Sequence, residues 1–205
     1  MAERITHLFS CPDIINRLAS AAGAALVSWR QDGVAAALRD VATKLTEIVN
    51  VEDFASAGDP DDTLRLQRAA AAIVARGGGT LWFKHGKAYT VLTGAPASQV
   101  VICNVTGTKG VTIEGNGATI TSARVNSSYG DVLFYAQPAE NLTVRNLKFI
   151  GGFTGAFATG PTDAQYFIAF GGGCKNIRAE NVTVTKCGYG VACLNESAIN
   201  TGVYV

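Results

Sequence analysis

The sequence predicts a mainly β protein built as a solenoid, and three observations carry that prediction. Strand-like segments recur from about Val100 onward: Val111-Thr-Ile-Glu-Gly, Leu142-Thr-Val-Arg-Asn and Ile177-Arg-Ala-Glu-Asn align. Each is followed by a second short strand, at Ala118 to Ile120, Leu147 to Phe149 and Val182 to Val184, whose apolar residues alternate as they do in a strand with one buried face. Between the paired strands stands Gly115, Asn146 or Asn181, residue types that tolerate the left-handed backbone of a sharp bend. Stacked coils place Asn146 above Asn181, as an Asn ladder of side-chain amides bonding from coil to coil. The alternative is an antiparallel sandwich with Asn at its turns, but Asn116-Gly117 is the single clear hairpin dipeptide.

The elements ahead of the repeat follow from local chemistry. Cys11-Pro12-Asp13 starts a short helix through Leu18, with Pro in its first turn. Val34, Leu38, Val41, Leu45 and Ile48 fall at intervals of four, three, four and three, a two-heptad seam. Two readings of that seam stand: association with other copies, or docking of one helix on its own coil. Val49, Val51 and Phe54 read as a short strand. Asp61, Asp62 and Thr63 are helix-cap residues, and Leu66, Ala69, Ala70, Ile73 and Val74 give the apolar stripe of a helix over about residues 63–76. Gly77, Gly78 and Gly79 end it, and Thr80 to Phe83 leaves as a strand. Two regions result: 1–48, an N-terminal attachment segment and neck, and 49–205, the coil. Excess residues at Ala123 to Asp131 and Gly151 to Tyr166 form loops on one side of the coil, where binding usually resides. Ile199-Asn-Thr-Gly-Val-Tyr-Val stops in mid-pattern without a polar cap, which reads as the N-terminal portion of a longer protein or a reduced remnant.

Composition narrows the function classes. The chain has 205 residues, 48% of them apolar, with 23 glycines, which suits a folded, turn-rich β protein and argues against disorder. A net charge of +1 with scattered Lys and Arg offers no footprint for nucleic acid or an anionic membrane. The apolar run from Leu18 to Trp29 is broken by Ser20, Gly23 and Ser28 and is too short for a bilayer core of about 30 Å. No secretory signal pattern opens the chain, so synthesis in a cytoplasm is expected. Five cysteines without a CxxC pair read as small buried hydrophobes, neither a disulfide framework nor a zinc cluster. His7 and His85 stand alone and read as surface or loop residues; no metal and no cofactor is expected. Five Asn-X-Ser/Thr sequences reflect Asn and Thr in turns and on strand faces.

The segment VNVEDFASAGDPDDT…GGGTLWF…G.AY resembles the start of the pectate-lyase superfamily. The resemblance implies a pectin-lyase-like, right-handed, single-stranded parallel β-helix with a capping helix over the open end of the coil. Here the acidic turn is compressed to Gly58-Asp59-Pro60-Asp61-Asp62-Thr63, and Lys84 stands where Pro is common in the family. The preceding AALVSWRQDGVAAALRDVATKLTEIVNVEDF is similar to the neck that joins the attachment domain of phage tailspikes to their β-helix. It implies an N-terminal helical neck, a homotrimer, partners among phage tail or baseplate proteins through the N-terminus, a bacterial surface polysaccharide as ligand, and a place in the virion tail. Two other readings remain: a bacterial polysaccharide lyase or glycoside hydrolase of the same fold, and a non-enzymatic tail adapter.

For glycoside hydrolysis, two carboxyl groups roughly 5 to 9.5 Å apart are needed. The candidates are Asp131, Glu140, Asp163, Glu180 and Glu196, of which Glu180 is best placed, because it alternates with Ala179 and so points outward. No acidic cluster follows Asp62, so a calcium-assisted lyase site is not expected. Tyr129, Tyr135, Phe153, Phe157, Tyr166 and Tyr189 lie in or near the loops; Tyr129 and Phe157, flanked by small residues, are the candidate sugar contacts.

Overall fold

The protein is a parallel β-helix, seen in a computed structural model that describes residues 28–29, 39–40, 47–95, 98–125, 130–155, 165–193 and 201–204. Its division into two compact units falls between Glu47 and Ile48. In the first unit, β1 (Ser28–Trp29) pairs antiparallel with β2 (Arg39–Asp40). The second unit opens with β3 (Ile48–Asn50), a 3-10 turn over Val51–Phe54 and helix α1 (Thr63–Ala75). Ten further strands follow: β4 (Gly79–Trp82), β5 (Ala88–Val91), β6 (Val101–Asn104), β7 (Lys109–Ser122), β8 (Val132–Ala136), β9 (Glu140–Ile150), β10 (Tyr166–Phe170), β11 (Lys175–Thr185), β12 (Tyr189–Cys193) and β13 (Thr201–Tyr204).

Every described pairing in the second unit is parallel, which removes the sandwich alternative. The long strands β7, β9 and β11 each bend once, so the coil has three faces. Sheet I holds β4, residues 109–114, 140–145 and 175–180, and β13, with β3 at its free end. Sheet II holds β5 and residues 118–122, 147–150 and 182–185. Sheet III is β6, β8, β10 and β12. The chain therefore winds through four successive turns, one more than the repeat predicts. The first turn, β4 to β6, is disguised because its corner from Phe83 to Lys87 is longer than the asparagine bends that follow.

Leu81, Ile113, Val144 and Ala179 share one inward column, and stacking such columns fills the core. Rings add to it: Phe134 meets Phe167 edge-on at 5.6 Å, and Phe149 stacks on Phe167 at 6.0 Å. Cys103 and Cys174 are fully buried among these residues, and burial pushes the Cys103 thiol well above its usual range. Cys187 is half-buried, its thiol pushed up to about 11 by burial.

Helix α1 covers the first turn, burying Leu66, Ala69, Ala70 and Ile73 against it. Full burial of Leu66 and Ile73 contributes about 1.5 to 3 kcal/mol each. Val74 lies off the buried stripe and is exposed. Gly78 has to be glycine: at φ 153° a Cβ there would stand 2.4 Å from the Lys109 carbonyl oxygen of the next coil. Asp62 occupies the N-cap position without making a side-chain cap bond, contrary to the sequence expectation. Its carboxylate instead accepts from the Thr90 amide at 2.8 Å and pairs with Arg65 at 2.8 Å. Asp61 accepts the Thr63 amide at 2.7 Å and also the Thr93 amide, and the Thr63 hydroxyl accepts from Leu92 at 2.7 Å. The acidic turn thus fastens α1 to the backbone around β5.

The neck expectation is corrected where it is visible. Ile48 is extended in β3, 44% exposed and paired with Thr80, and Arg39–Asp40 is a strand, so a single helix does not run from Val34 to Ile48. The physical reason is that two heptads do not stabilise a helix without a partner. Val34, Leu38, Val41 and Leu45 lie outside the described residues.

Candidate functional site

Sheet II presents the polar outer surface on which the site is built. Its side chains alternate: Tyr89, Ile120 and Phe149 point into the core, while the residues between them point out. Register sets the outward residues in two columns, Ala88, Thr119, Lys148 and Thr183, and Thr90, Thr121, Ile150 and Thr185. Neighbouring coils are about 4.8 Å apart. The face is therefore a set of hydroxyls interrupted by one alanine, one ammonium and one isoleucine.

A groove flanks this face at each end. At the start of the strands is an open corner groove of about 390 Å³ whose walls include His85, Asn116, Asn146, Lys148, Asn181 and Thr183. At their end is a second groove of about 490 Å³, lined by Thr121, Val125, Ile150, Phe153, Thr154 and Lys186. Val125 is 67% exposed there, so apolar surface stands beside hydroxyls and an ammonium. That mixture suits a sugar, which offers C–H faces to aromatic and aliphatic groups and hydroxyls to polar ones.

The corner is shaped by its asparagines. Asn116, Asn146 and Asn181 adopt φ of 53°, 55° and 48°. Asn181 Nδ2 donates to Asn146 Oδ1 at 2.7 Å, and Asn146 Nδ2 donates to Glu114 Oε1 at 2.9 Å. The ladder ends on the Glu114 carboxylate, which also accepts from the Asn116 amide at 3.0 Å and from Arg145 Nε at 2.6 Å. Asn181, at the outer end of this ladder, is exposed. A second ladder went unpredicted: Asn176 Nδ2 donates to Asn141 Oδ1 at 2.9 Å, both at positive φ. Its signal was the recurrence of Lys109-Gly110, Glu140-Asn141 and Lys175-Asn176 at the strand starts.

The far groove is held by close backbone packing. A Cβ on Gly151 would stand 2.2 Å from the Lys186 carbonyl oxygen, and one on Gly152 1.8 Å from that of Arg124. The buried Gln165 side chain ties the coils together there, accepting from the Gly152 amide at 2.6 Å and donating to Ser122 Oγ at 2.8 Å.

Several predicted residues take other roles. Asp131 is 2% exposed, pairs with Arg124 at 2.9 Å and accepts the Val100 amide at 2.9 Å, which makes it a structural anchor for the loop. Glu140 pairs with Lys175 at 3.3 Å. Glu180 points outward, its side chain 48% exposed and 3.9 Å from Arg178. It shares a column with Glu114, two coils away at roughly 9.6 Å along the sheet, but Arg145 stands between them in register. Burial acts to raise the Glu114 pKa, yet the bonds from Asn146, the Asn116 amide and Arg145 outweigh it and hold the group below its usual range. A carboxylate held ionised is a poor general acid, so Glu114 does not suit the acid role in a hydrolase pair. Asp163, Glu196, Tyr129 and Phe157 lie outside the described residues. Tyr135, Tyr166 and Tyr189 are strand residues of sheet III, not loop residues, with Tyr166 stacked on Tyr189 at 4.9 Å.

Lys148, Thr183 and Lys186 were missed as site residues. Among the described residues no group of three or more His, Cys, Asp or Glu is placed to hold a metal ion, and no helix is long and apolar enough to cross a membrane.

Acid should loosen the framework of this site. Glu52 is like Glu114: burial raises its pKa, but bonds from Lys87 at 2.7 Å and the Tyr89 hydroxyl at 2.9 Å outweigh it and lower it overall. Asp59 is lowered chiefly by Arg68. Folded pKa values below the unfolded ones mean that the native state binds fewer protons, so stability is complete above about pH 5 and is lost as pH falls through the folded values. Thermal melts should be flat from about pH 8 to 5 and fall by on the order of 5 °C by about pH 3, with a shallower fall in Glu114→Gln.

No family model matches the chain, and no curated protein matches it in sequence. Among solved structures, a double mutant of the tailspike protein of E. coli bacteriophage HK620 aligns at 16% identity with a TM-score of 0.45, covering 94% of this chain and 43% of that one. The HK620 tailspike described in complex with a pentasaccharide aligns at 14% identity with a TM-score of 0.42, covering 84% of this chain and 41% of the other. The chain thus spans less than half the length of these tailspikes. Its likeness among solved structures is to bacteriophage tailspike proteins.

Proposed function

We propose that this chain is a trimeric phage or prophage tailspike component that attaches to a bacterial surface polysaccharide, with the glycan lying across the outer face of sheet II. The observation that carries the reading is a two-column outer surface in which five of the eight outward residues are threonines, bounded by two open grooves, one lined by amides and the other by Val125 and Phe153. Short strands keep this surface rigid, so little ordering entropy is lost when a polymer settles on it. The similarity of the preceding segment to tailspike necks supports trimer formation and attachment to other tail proteins through the N-terminus. The chemistry favours binding over cleavage, because Glu114, Glu140 and Glu180, the outward carboxylates of sheet I, are each paired with Arg or Lys.

The test is retention of the chain on immobilised lipopolysaccharide and capsular polysaccharide from a panel of bacteria, with light scattering of the same sample. Retention on at least one glycan, an affinity loss of roughly tenfold in Phe153→Ala, and a mass three times the 21.3 kDa of one chain are expected. A monomer would remove the trimer. Equal retention of wild type and Phe153→Ala would move the glycan to another face.

A further inference from the structure

The far groove sets its ammonium, Lys186, beside apolar side chains, whereas the corner groove sets one among amide and imidazole groups. Lys148 and His85 both line it, and neither has a hydrogen-bond or ion-pair partner among the described residues. Carboxylates on the adjoining strands are matched elsewhere: Glu114 by Arg145 at 2.6 Å, and Glu180 by Arg178 at 3.9 Å. The Asn146 carboxamide oxygen accepts from Asn181, which leaves the second Asn181 N–H and the Thr183 hydroxyl as donors facing the same space. The groove thus combines a lysine ammonium, an imidazole, an amide and a hydroxyl, drawn from three coils.

The geometry points to a subsite for a phosphate group carried on a sugar. This rests on the reading that the glycan lies on sheet II, and it adds what one end of that face selects. Phosphate fits better than carboxylate for a stated reason. An arginine fork captures a planar carboxylate through two parallel bonds, and the guanidinium at this corner, Arg145, is committed to Glu114. A lysine ammonium is a point charge with rotatable donors, suited to a tetrahedral anion whose oxygens accept from several directions.

Three sugars matched at one carbon test this on the full chain: glucose, glucuronate and glucose 6-phosphate, titrated while the protein's amide NMR signals are followed. Glucose 6-phosphate should bind roughly fivefold or more tightly than glucose, with glucuronate between them, and the shifted signals should lie around Lys148, Asn181 and His85. Lys148→Gln should bring glucose 6-phosphate down to the level of glucose, and raising salt from about 20 mM to 500 mM should do the same. Lys175→Gln, which removes the same charge from a residue paired with Glu140, should leave the ranking unchanged. Equal binding of all three sugars, or a ranking unaltered by Lys148→Gln, overturns the subsite. A neutral surface polysaccharide that still binds in that case leaves the wider proposal standing, whereas loss of all glycan binding removes both.

Discussion

Phe134→Ala should lower the unfolding free energy by about 3 to 5 kcal/mol, among the largest effects of any single core truncation. Phe134 is fully buried and packs edge-on against Phe167, which in turn stacks on Phe149. The rings come from two successive coils, so their contact joins one turn of the helix to the next. In a solenoid each turn is stabilised chiefly by its neighbours, so a cavity at such a joint weakens both turns. The surrounding backbone is tied into parallel ladders on either side of β8, so it has little freedom to collapse into the space. Urea unfolding followed by circular dichroism measures the effect. Phe134→Leu, which keeps most of the volume, should cost about 1.5 kcal/mol, and equal losses for the two variants would show that packing at this joint is not what matters.

The second large effect is expected at a residue with no side chain. Gly152→Ala places a Cβ 1.8 Å from the Arg124 carbonyl oxygen and 2.8 Å from its carbon, and both obstacles are backbone. Flexible side chains can move aside; a backbone carbonyl can do so only by shifting the chain that carries it. A loss of more than about 3 kcal/mol, or failure to fold, is expected. Gly190→Ala is the matched control, because nothing lies within 4 Å of its added Cβ, and it should change stability by less than about 0.5 kcal/mol. Limited proteolysis and thermal melts of the pair read the difference. A stable, protease-resistant Gly152→Ala protein would mean that the coils are not this close at the far groove.

Much of this fold is legible because its chemistry is local. Alternation in Leu142, Val144, Leu147 and Phe149, with Asn146 between them, encodes two strands and the bend that joins them. Helix α1 is equally visible, since its buried stripe repeats at helical spacing and three glycines end it. What stays hidden depends on partners distant in sequence. Asp62 looks like a cap, yet its carboxylate is taken by the Thr90 amide, 28 residues away. The first turn is hidden because the Phe83 to Lys87 corner replaces the single bending asparagine. The site is legible only in part for the same reason. Thr119, Lys148 and Thr183 look like ordinary outward strand residues until register aligns them in one column. Glu180 shows the opposite error. Its outward direction is readable from alternation, but Arg145 in its column is apparent only once the coils are stacked.

Hydrogen exchange on the full chain with and without a retained polysaccharide is the most direct test of the central claim, that an outer face of this parallel β-helix holds the glycan. Protection should appear in residues 118–125, 147–154 and 181–186, while β8 and β10 of sheet III exchange at unchanged rates. Protection concentrated on sheet III, or none under saturating glycan, would contradict it.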